Sequence, residues 1–284
     1  MNEKPRHRSG YTTEETELVR SACLTVAVTL GAYLDDVVIV GGLVPSLLID
    51  AQRAEPGDAD EDHPGTNDLD LGLSLAVLDD QRYTEISARL RAEGFEPDEN
   101  AAGNPTVQRW RLGDLKVDFL MPPAPGQDPT RRVQNLEPDF GALVTRGLEL
   151  AFNERAKVTI AGTTLAGEEA TREVPVCGPG AFIVLKAFAS SDRSEPKDAF
   201  DLVYVIRGTP GGAAEVGNQL RAHAATHPEI VDEAVSLLAR DFETPGHLGP
   251  RRAADFDRID GDDLDAAAAD AHGYVDDLIR AYRG

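Results

Sequence analysis

Cysteine is nearly absent. The chain has two, Cys23 and Cys177, and neither stands in a Cys-x-x-Cys pair or a Cys/His cluster. No disulfide framework and no structural zinc site is implied. Cys23 lies in the apolar stretch SACLTVAVTL and reads as a small core residue. Basic charge is also scarce. Five lysines and 23 arginines face 50 acids, giving a formal net charge of −22. Binding along a nucleic-acid backbone needs clustered Lys and Arg, so a uniformly basic nucleic-acid binder is excluded and only a local basic cleft stays open. No run of 18 apolar residues occurs, and no basic stretch leads directly into a long apolar core. No membrane helix or secretory leader is expected, and a cytoplasmic protein is.

What is present is apolar material for a substantial core: 41% of 284 residues, a length comfortable for two lobes. The acidity is segmental, with six acids in residues 50–62 and nine in 255–277. Such runs read as solvated faces that aid solubility, or as a docking surface for a basic partner. Thr12 and Glu15 have capping-box spacing and open a helix reaching about Tyr33. Residues 37–40 are a β-branched run read as a buried strand, followed by Gly41-Gly42 and a short helix in LVPSLLID. An acidic loop over 52–64 leads to GTNDLDLGLSL, whose strict alternation reads as a half-buried strand. Asp79 or Asp80 caps a helix ending at Gly94. VQRWRL and LKVDFLM read as a hairpin about Gly113-Asp114. Residues 122–136 read as a Pro-rich loop, and 148–160 and 173–176 as further strands. From Ala181 onward the pattern is helical, broken at Pro196, 208–212, Pro228 and 244–249, with a last helix over about 262–282. The expected fold is α+β: a mixed-sheet lobe with flanking helices over 1–178, then a helical lobe over 179–284.

Side chains two apart on a strand share a face, so Asp68 and Asp70 stand about 7 Å apart along it, above Leu69, Leu71 and Leu73. Two such carboxylates repel unless a cation lies between them. Asp118 is a lone acid in an otherwise apolar strand, costly without a partner. A salt bridge to Lys116 is its plainest explanation. If its strand pairs with the first, it completes a three-carboxylate set suited to Mg²⁺ or Mn²⁺. Strand, Gly41-Gly42, then a helix carrying Ser46 is a shape that admits a phosphate close to the backbone, although turn geometry alone explains the glycines. In the helical half, Lys186 sits in the apolar AFIVLKAFA, as a snorkelling lysine or an ammonium reaching for a triphosphate. Lys197, Asp198 and Asp201 edge an apolar helix face, where an ion-pair network is plausible. Arg193 joins that network or holds phosphate.

Together these pieces resemble the nucleotidyltransferase superfamily that includes DNA polymerase β: a Gly-Gly or Gly-Ser turn, an Asp-x-Asp strand, and a third Asp on a neighbouring strand. More narrowly they resemble the AbiEii/AbiGii toxin family, to which the MenT toxins belong. That family has a second-lobe segment like the one formed here by Lys186, Ala189, Arg193, Lys197, Asp198, Asp201 and Leu202. The resemblance covers residues 37–207. Gly42 and Asp68 are 26 positions apart, further than the family's usual spacing, with the acidic loop as the apparent insertion.

The resemblance implies a metal-dependent transfer of a nucleoside monophosphate from a nucleoside triphosphate to an acceptor. The acceptors this family implies include tRNA, with the protein as the toxin of a type IV, abortive-infection-like toxin–antitoxin pair partnered by an antitoxin or transcriptional regulator. The metal falls to Asp68, Asp70 and Asp118, and catalysis to these with Lys186 and Asp201. Nucleotide binding falls to Gly41, Gly42, Ser46, Thr66, Lys186, Arg193 and Lys197. Gly72 is expected to leave space for the nucleotide. Two other readings stand beside it: a small-molecule, antibiotic-type nucleotidyltransferase, for which an acidic protein suits a cationic substrate, and a non-catalytic nucleotide- or protein-binding module on the same fold.

Overall fold

The computed structural model describes residues 5–50, 62–74, 80–100, 102–113, 115–124, 126, 132–193, 195–259 and 263–284. The acidic loop over 52–64 and the turn residue Asp114 therefore fall largely or wholly outside the described residues, as does Asp79. The fold is α+β, as expected. It gathers into two units, one comprising Thr12–Val44 and Gly65–Cys177, the other the described parts of Asn2–Tyr11, Pro45–Pro64 and Gly178–Gly284.

The first unit is built on a mixed sheet. Helix α1 (Thr13–Leu30) starts with a complete capping box: Thr12 Oγ1 accepts from the Glu15 amide and the Glu15 carboxylate accepts from the Thr12 amide, both at 3.2 Å. The segment Thr13–Asp36 is long and apolar enough to cross a membrane by length and composition alone. Here its apolar residues, among them Val19, Ala22, Leu24 and Val26, are buried, and it packs on strands of the sheet. Cys23 is buried with them, and burial pushes its thiol up to about 12, so it stays protonated.

The strands are β1 (Val37–Val40), β2 (Asp68–Leu73), β3 (Glu96–Glu99), β4 (Pro105–Leu112), β5 (Leu115–Met121), β6 (Val133–Glu137), β7 (Phe140–Val144), β8 (Arg155–Thr163) and β9 (Glu169–Cys177). They run in the order β3-β4-β5-β2-β1-β9-β8, with β7 continuing beside β5 and β6 beside β7. β2 runs antiparallel to β1 and parallel to β5. The β4–β5 hairpin turns at Gly113, whose positive φ of 60° suits a residue without a Cβ. Helices α3 (Asp80–Ala92) and α4 (Leu148–Asn153) complete the connections of this unit, while α2 (Val44–Leu48) belongs from Pro45 onward to the second unit.

Two stretches differ from the sequence expectation. Leu148–Asn153 is a helix, with strand starting only at Arg155. A short apolar run such as LELAF carries no period that separates helix from strand, and Gly147, at φ 82°, ends the preceding extended chain. The expected loop over 122–136 contains the start of β6, whose VQNLE lacks alternation because it is half exposed throughout.

The second unit is helical: α5 (Pro179–Asp192), α6 (Pro196–Gly208), α7 (Gly212–Ala224), α8 (Pro228–Asp241), α9 (Leu248–Asp257) and α10 (Leu264–Arg283). Prolines open α5, α6 and α8, where the missing N–H costs nothing. Asp263 caps α10 by accepting from the amides of Asp265 and Ala266.

Candidate functional site

The alternation of β2 and β5 decides which side chains share a face. Leu69, Leu71, Val117, Phe119 and Met121 are buried on one side. Phe119 meets Trp110 of β4 and Phe140 of β7 edge to face, with centroids 6.4 and 4.9 Å apart, and Trp110 meets Phe140 at 5.5 Å. Each such pair adds roughly 1 kcal/mol beyond the apolar area it buries, which fixes the strands beneath the polar face. On that face stand Asp68, Asp70 and Asp118. The parallel register sets Asp70 directly opposite Asp118 and Asp68 opposite Lys116. The two strands that carry the acids are therefore neighbours, and the three carboxylates lie on one side of the sheet.

Asp118 is not paired with Lys116. It accepts a two-pronged bond from Arg109 of β4, from Nε at 2.7 Å and from the terminal amino group at 2.6 Å. Lys116 stands two residues along the same strand, whereas the antiparallel hairpin sets Arg109 opposite Asp118. The bond to Asp118 raises the Arg109 pKa above its ordinary value, and the charges of Asp118, Asp68 and Asp70 add to it, so one guanidinium sits in the field of all three acids.

Gly41 lies at the end of β1, where Val40 pairs with Asp70. Its φ is 73°, and a Cβ built there would overlap the Asp70 carboxylate. Glycine at this position is thus required twice, by the turn and by the acid lying against it. Gly72 does not provide space for a ligand. A Cβ there would stand 2.8 Å from Val38 and 3.2 Å from Leu148, so the packing of α4 on the sheet takes up that room. Thr66 is buried, and its hydroxyl bridges the backbone amide and carbonyl of Asp68, at 3.4 and 3.3 Å, shaping the entry to β2. Gly42 follows Gly41 in a single 3₁₀ turn, Gly41–Leu43. Ser46 is buried and belongs to the second unit. α2 is five residues long, too short to build much of a macrodipole. Among the described residues, two buried side-chain oxygens lack a hydrogen-bond partner, Asn67 Oδ1 beside Asp68 and Glu149 Oε2 beside Leu148.

The second unit gathers its own charges. Lys186 of α5 donates to Asp198 at 2.8 Å and to Asp201 at 2.6 Å. Lys197 donates to both oxygens of Asp201, at 2.8 and 3.0 Å. Arg193 closes the chain with two bonds to Asp198, at 2.7 and 3.0 Å. Sequence reading missed His63. Its Nε2 lies 2.8 Å from Asp201 Oδ1 and 3.4 Å from Lys197 Nζ, its ring stacks on Phe200, and its backbone amide donates to Asp50. Asp50 also accepts from the Tyr204 hydroxyl.

Charge states follow from burial and these partners. Burial lowers His63 to about 4, aided by Lys197, so it is neutral at pH 7. Burial also lowers Lys197, to about 8, against the pull of Asp201. For Asp198, burial pushes upward but Lys186 and Arg193 prevail and bring it to about 2. Asp201 is held well below the usual carboxylate range, because Lys186 and Lys197 outweigh its burial. Lys186, also buried, is raised by Asp198 and Asp201. The ammonium groups of Lys186 and Lys197 can meet a phosphate only if these carboxylates release them. Arg193, with 39% of its side chain exposed, is the solvent-facing end of the network.

A divalent ion can be tested against the first unit's acids. Three carboxylates supply hard oxygen donors, and two are in register on neighbouring strands, so the donor chemistry fits Mg²⁺ or Mn²⁺. Among the described residues, no three His, Cys, Asp or Glu side chains are already gathered as a ligand set. Asp118 is instead taken by Arg109.

No family model matches the chain, and no curated protein matches it. Among solved structures it is similar to an antigenic nucleotidyltransferase-like protein from Paracoccidioides brasiliensis, at 17% identity and a TM-score of 0.36, over 77% of this chain and 93% of that one. A TM-score of this size does not by itself establish a common fold.

Proposed function

We propose that the chain is a metal-dependent nucleotidyltransferase that moves a nucleoside monophosphate from a nucleoside triphosphate to an acceptor hydroxyl. The observation that supports this is the register of β2 with β5, which sets Asp70 opposite Asp118 and Asp68 on the same face. Asp68 and Asp70 would hold Mg²⁺ or Mn²⁺, joined by Asp118 once Arg109 lets it go. When bound, the ion supplies charge compensation for the triphosphate and the departing diphosphate. The chain's own work is placement. Buried Leu69 and Leu71 keep the two β2 acids from turning away, and Gly41 lets the Asp70 carboxylate lie against the β1 turn. Asp118 would accept the acceptor hydroxyl's proton at a carboxylate oxygen. The Gly41-Gly42 backbone would meet phosphate oxygens, with Thr66 holding the start of β2 in shape. In the second unit Arg193, bonded to Asp198 but the more exposed cation of that network, would be the group open to an anion from solvent, while Asp201 acts on Lys186 and Lys197 as their counter-ion.

The resemblance to the abortive-infection toxins supports tRNA as the acceptor, and a toxin–antitoxin setting with a small antitoxin or regulator as partner. A second reading is favoured by the net charge of −22, which suits a cationic small-molecule acceptor such as an aminoglycoside. One assay separates them. The purified chain is incubated with each α-labelled triphosphate and Mg²⁺, together with total RNA or with aminoglycosides. Label is expected in the RNA, reduced by about two orders of magnitude or more in Asp68→Ala. Label in the aminoglycoside alone selects the second reading. Label in neither, from folded protein, leaves a non-catalytic nucleotide- or protein-binding module.

A further inference from the structure

The acid that the metal reading needs from β5 is already engaged. Arg109 grips Asp118 with both prongs of its guanidinium, the strongest geometry available to an Arg–carboxylate pair. The hairpin builds this pairing in. Counting outward from the turn, Leu112 faces Leu115, Arg111 faces Lys116, Trp110 faces Val117, and Arg109 faces Asp118. The pair is not sealed in the core: Arg109 is 36% exposed at its side chain and Asp118 16%. Water and ions can therefore reach it. The guanidinium also feels Asp68 and Asp70, which a bond made only to brace the hairpin would not require.

Arg111 supplies a comparison within the same strand. It lies two residues from Arg109 on the same face, yet it pairs with Glu96 and Asp98 of β3, at 2.6 and 3.7 Å. Two arginines of one strand thus divide between the sheet's acidic edge and the three-acid face. A structural staple to β3 is Arg111's role, and it leaves Arg109 with a different one.

We propose that Arg109 is the resident counter-ion of the β2–β5 carboxylates, and that a divalent ion gains Asp118 only by displacing it. This rests on the reading of Asp68, Asp70 and Asp118 as metal ligands. A guanidinium and a divalent ion compete for the same carboxylate oxygens: Arg109 takes one lone pair on each, and its positive charge repels a cation approaching the pair it leaves. In the metal-free chain the two-pronged bond keeps the Asp118 carboxylate aimed, and the guanidinium charge limits repulsion among the acids. Arg109 is then a positioning residue, and its removal affects ion affinity before it affects any chemistry.

The test is equilibrium binding of Mn²⁺ alone, followed by loss of the free-ion paramagnetic resonance signal, in the full chain and its variants. Arg109→Gln is expected to bind Mn²⁺ about tenfold more tightly than the wild type, because the competing bond is gone. Arg109→Lys, which keeps the charge but not the fork, is expected to fall between them, and it carries the test if the glutamine variant does not fold. Arg111→Gln is expected to stay within about twofold of the wild type, since it bonds other acids. Adding Asp68→Asn to Arg109→Gln should abolish the gain. Unchanged or weaker binding in Arg109→Gln, with wild-type binding still lost in Asp68→Asn, would overturn the role of Arg109 and leave the metal site standing. An equal gain in Arg111→Gln would also overturn it, by reducing the effect to lost positive charge. Absence of saturable Mn²⁺ binding in both wild type and Arg109→Gln would remove the metal site and the proposal together.

Discussion

Burial sets the charge of His63. The ring is enclosed among Asp201 and Lys197 of α6, Lys186 of α5 and the aromatic faces of Phe200 and Tyr204. Its folded pKa of about 4 lies below the ordinary 6.5. The unfolded chain therefore takes up a proton first as pH falls. The stability tied to neutral His63 is complete above pH 6.5 and is lost as pH drops from there through about 4. That loss amounts to about 3 kcal/mol across the window. Urea unfolding at pH 7 and pH 4 should show it, and His63→Gln should lose distinctly less between the same two points. An identical loss in the variant would mean that His63 is not the group titrating. Asp198 and Asp201 titrate lower still, so their ion pairs with Lys186 and Lys197 outlast the histidine's contribution.

The residues differ in how far the sequence discloses them. Asp68 and Asp70 are visible because an alternating strand announces its own faces. Asp118 is visible because a charge in an apolar strand demands a partner. That partner was also within reach: counting back from the Gly113 turn places Arg109 opposite Asp118, and Lys116 beside it instead of across from it. His63 gives no such signal. It lies in a Pro-containing loop, 138 residues from the Asp201 it bonds, and no local period links the two.

Elements with a complete local code are legible to within a few residues. α1 has a capping box, β1 and β2 have β-branched or alternating runs, and the β4–β5 hairpin has its glycine turn. Elements whose form is set by neighbours are not. Leu148–Asn153 becomes a helix where α4 packs on the sheet and fills the room beside Gly72. β3 is an acidic, proline-containing edge strand, EPDE, with no β-branched or alternating run to announce it, and Arg111 pairs with it. The local code carries measurable stability. Thr12→Ala removes the hydroxyl that accepts the Glu15 amide, and should lower the unfolding free energy by about 1 kcal/mol in denaturant titration. No change would mean the box contributes nothing at the start of α1. Because Thr12 is remote in the chain from the acids of β2 and β5, Mn²⁺ affinity should stay as in the wild type.

Across the whole molecule, the two units divide the ionisable chemistry differently. The sheet unit presents carboxylates on a partly exposed face, where an ion can reach them. The helical unit buries its charges as a nearly closed network, with the side chains of Lys186, Asp198 and Asp201 at 7, 3 and 0% exposure. Buried pairs of this kind cost several kcal/mol when one partner is removed, so substitutions there will read first as lost stability. Asp68 and Asp70 stand on the partly exposed face, so isosteric Asp→Asn changes there should cost less stability than changes in that network and are the cleaner probes of function, whereas a change at Asp118 also breaks its bond to Arg109. The most direct test is equilibrium binding of a non-hydrolysable nucleoside triphosphate to the full chain, with and without Mg²⁺, in wild type and Asp70→Asn. Binding should require Mg²⁺ and weaken by about tenfold or more in the variant, which loses a ligand but keeps its shape. Triphosphate binding that is indifferent to Mg²⁺ and unchanged in Asp70→Asn would contradict the assignment of this face as a metal–nucleotide site.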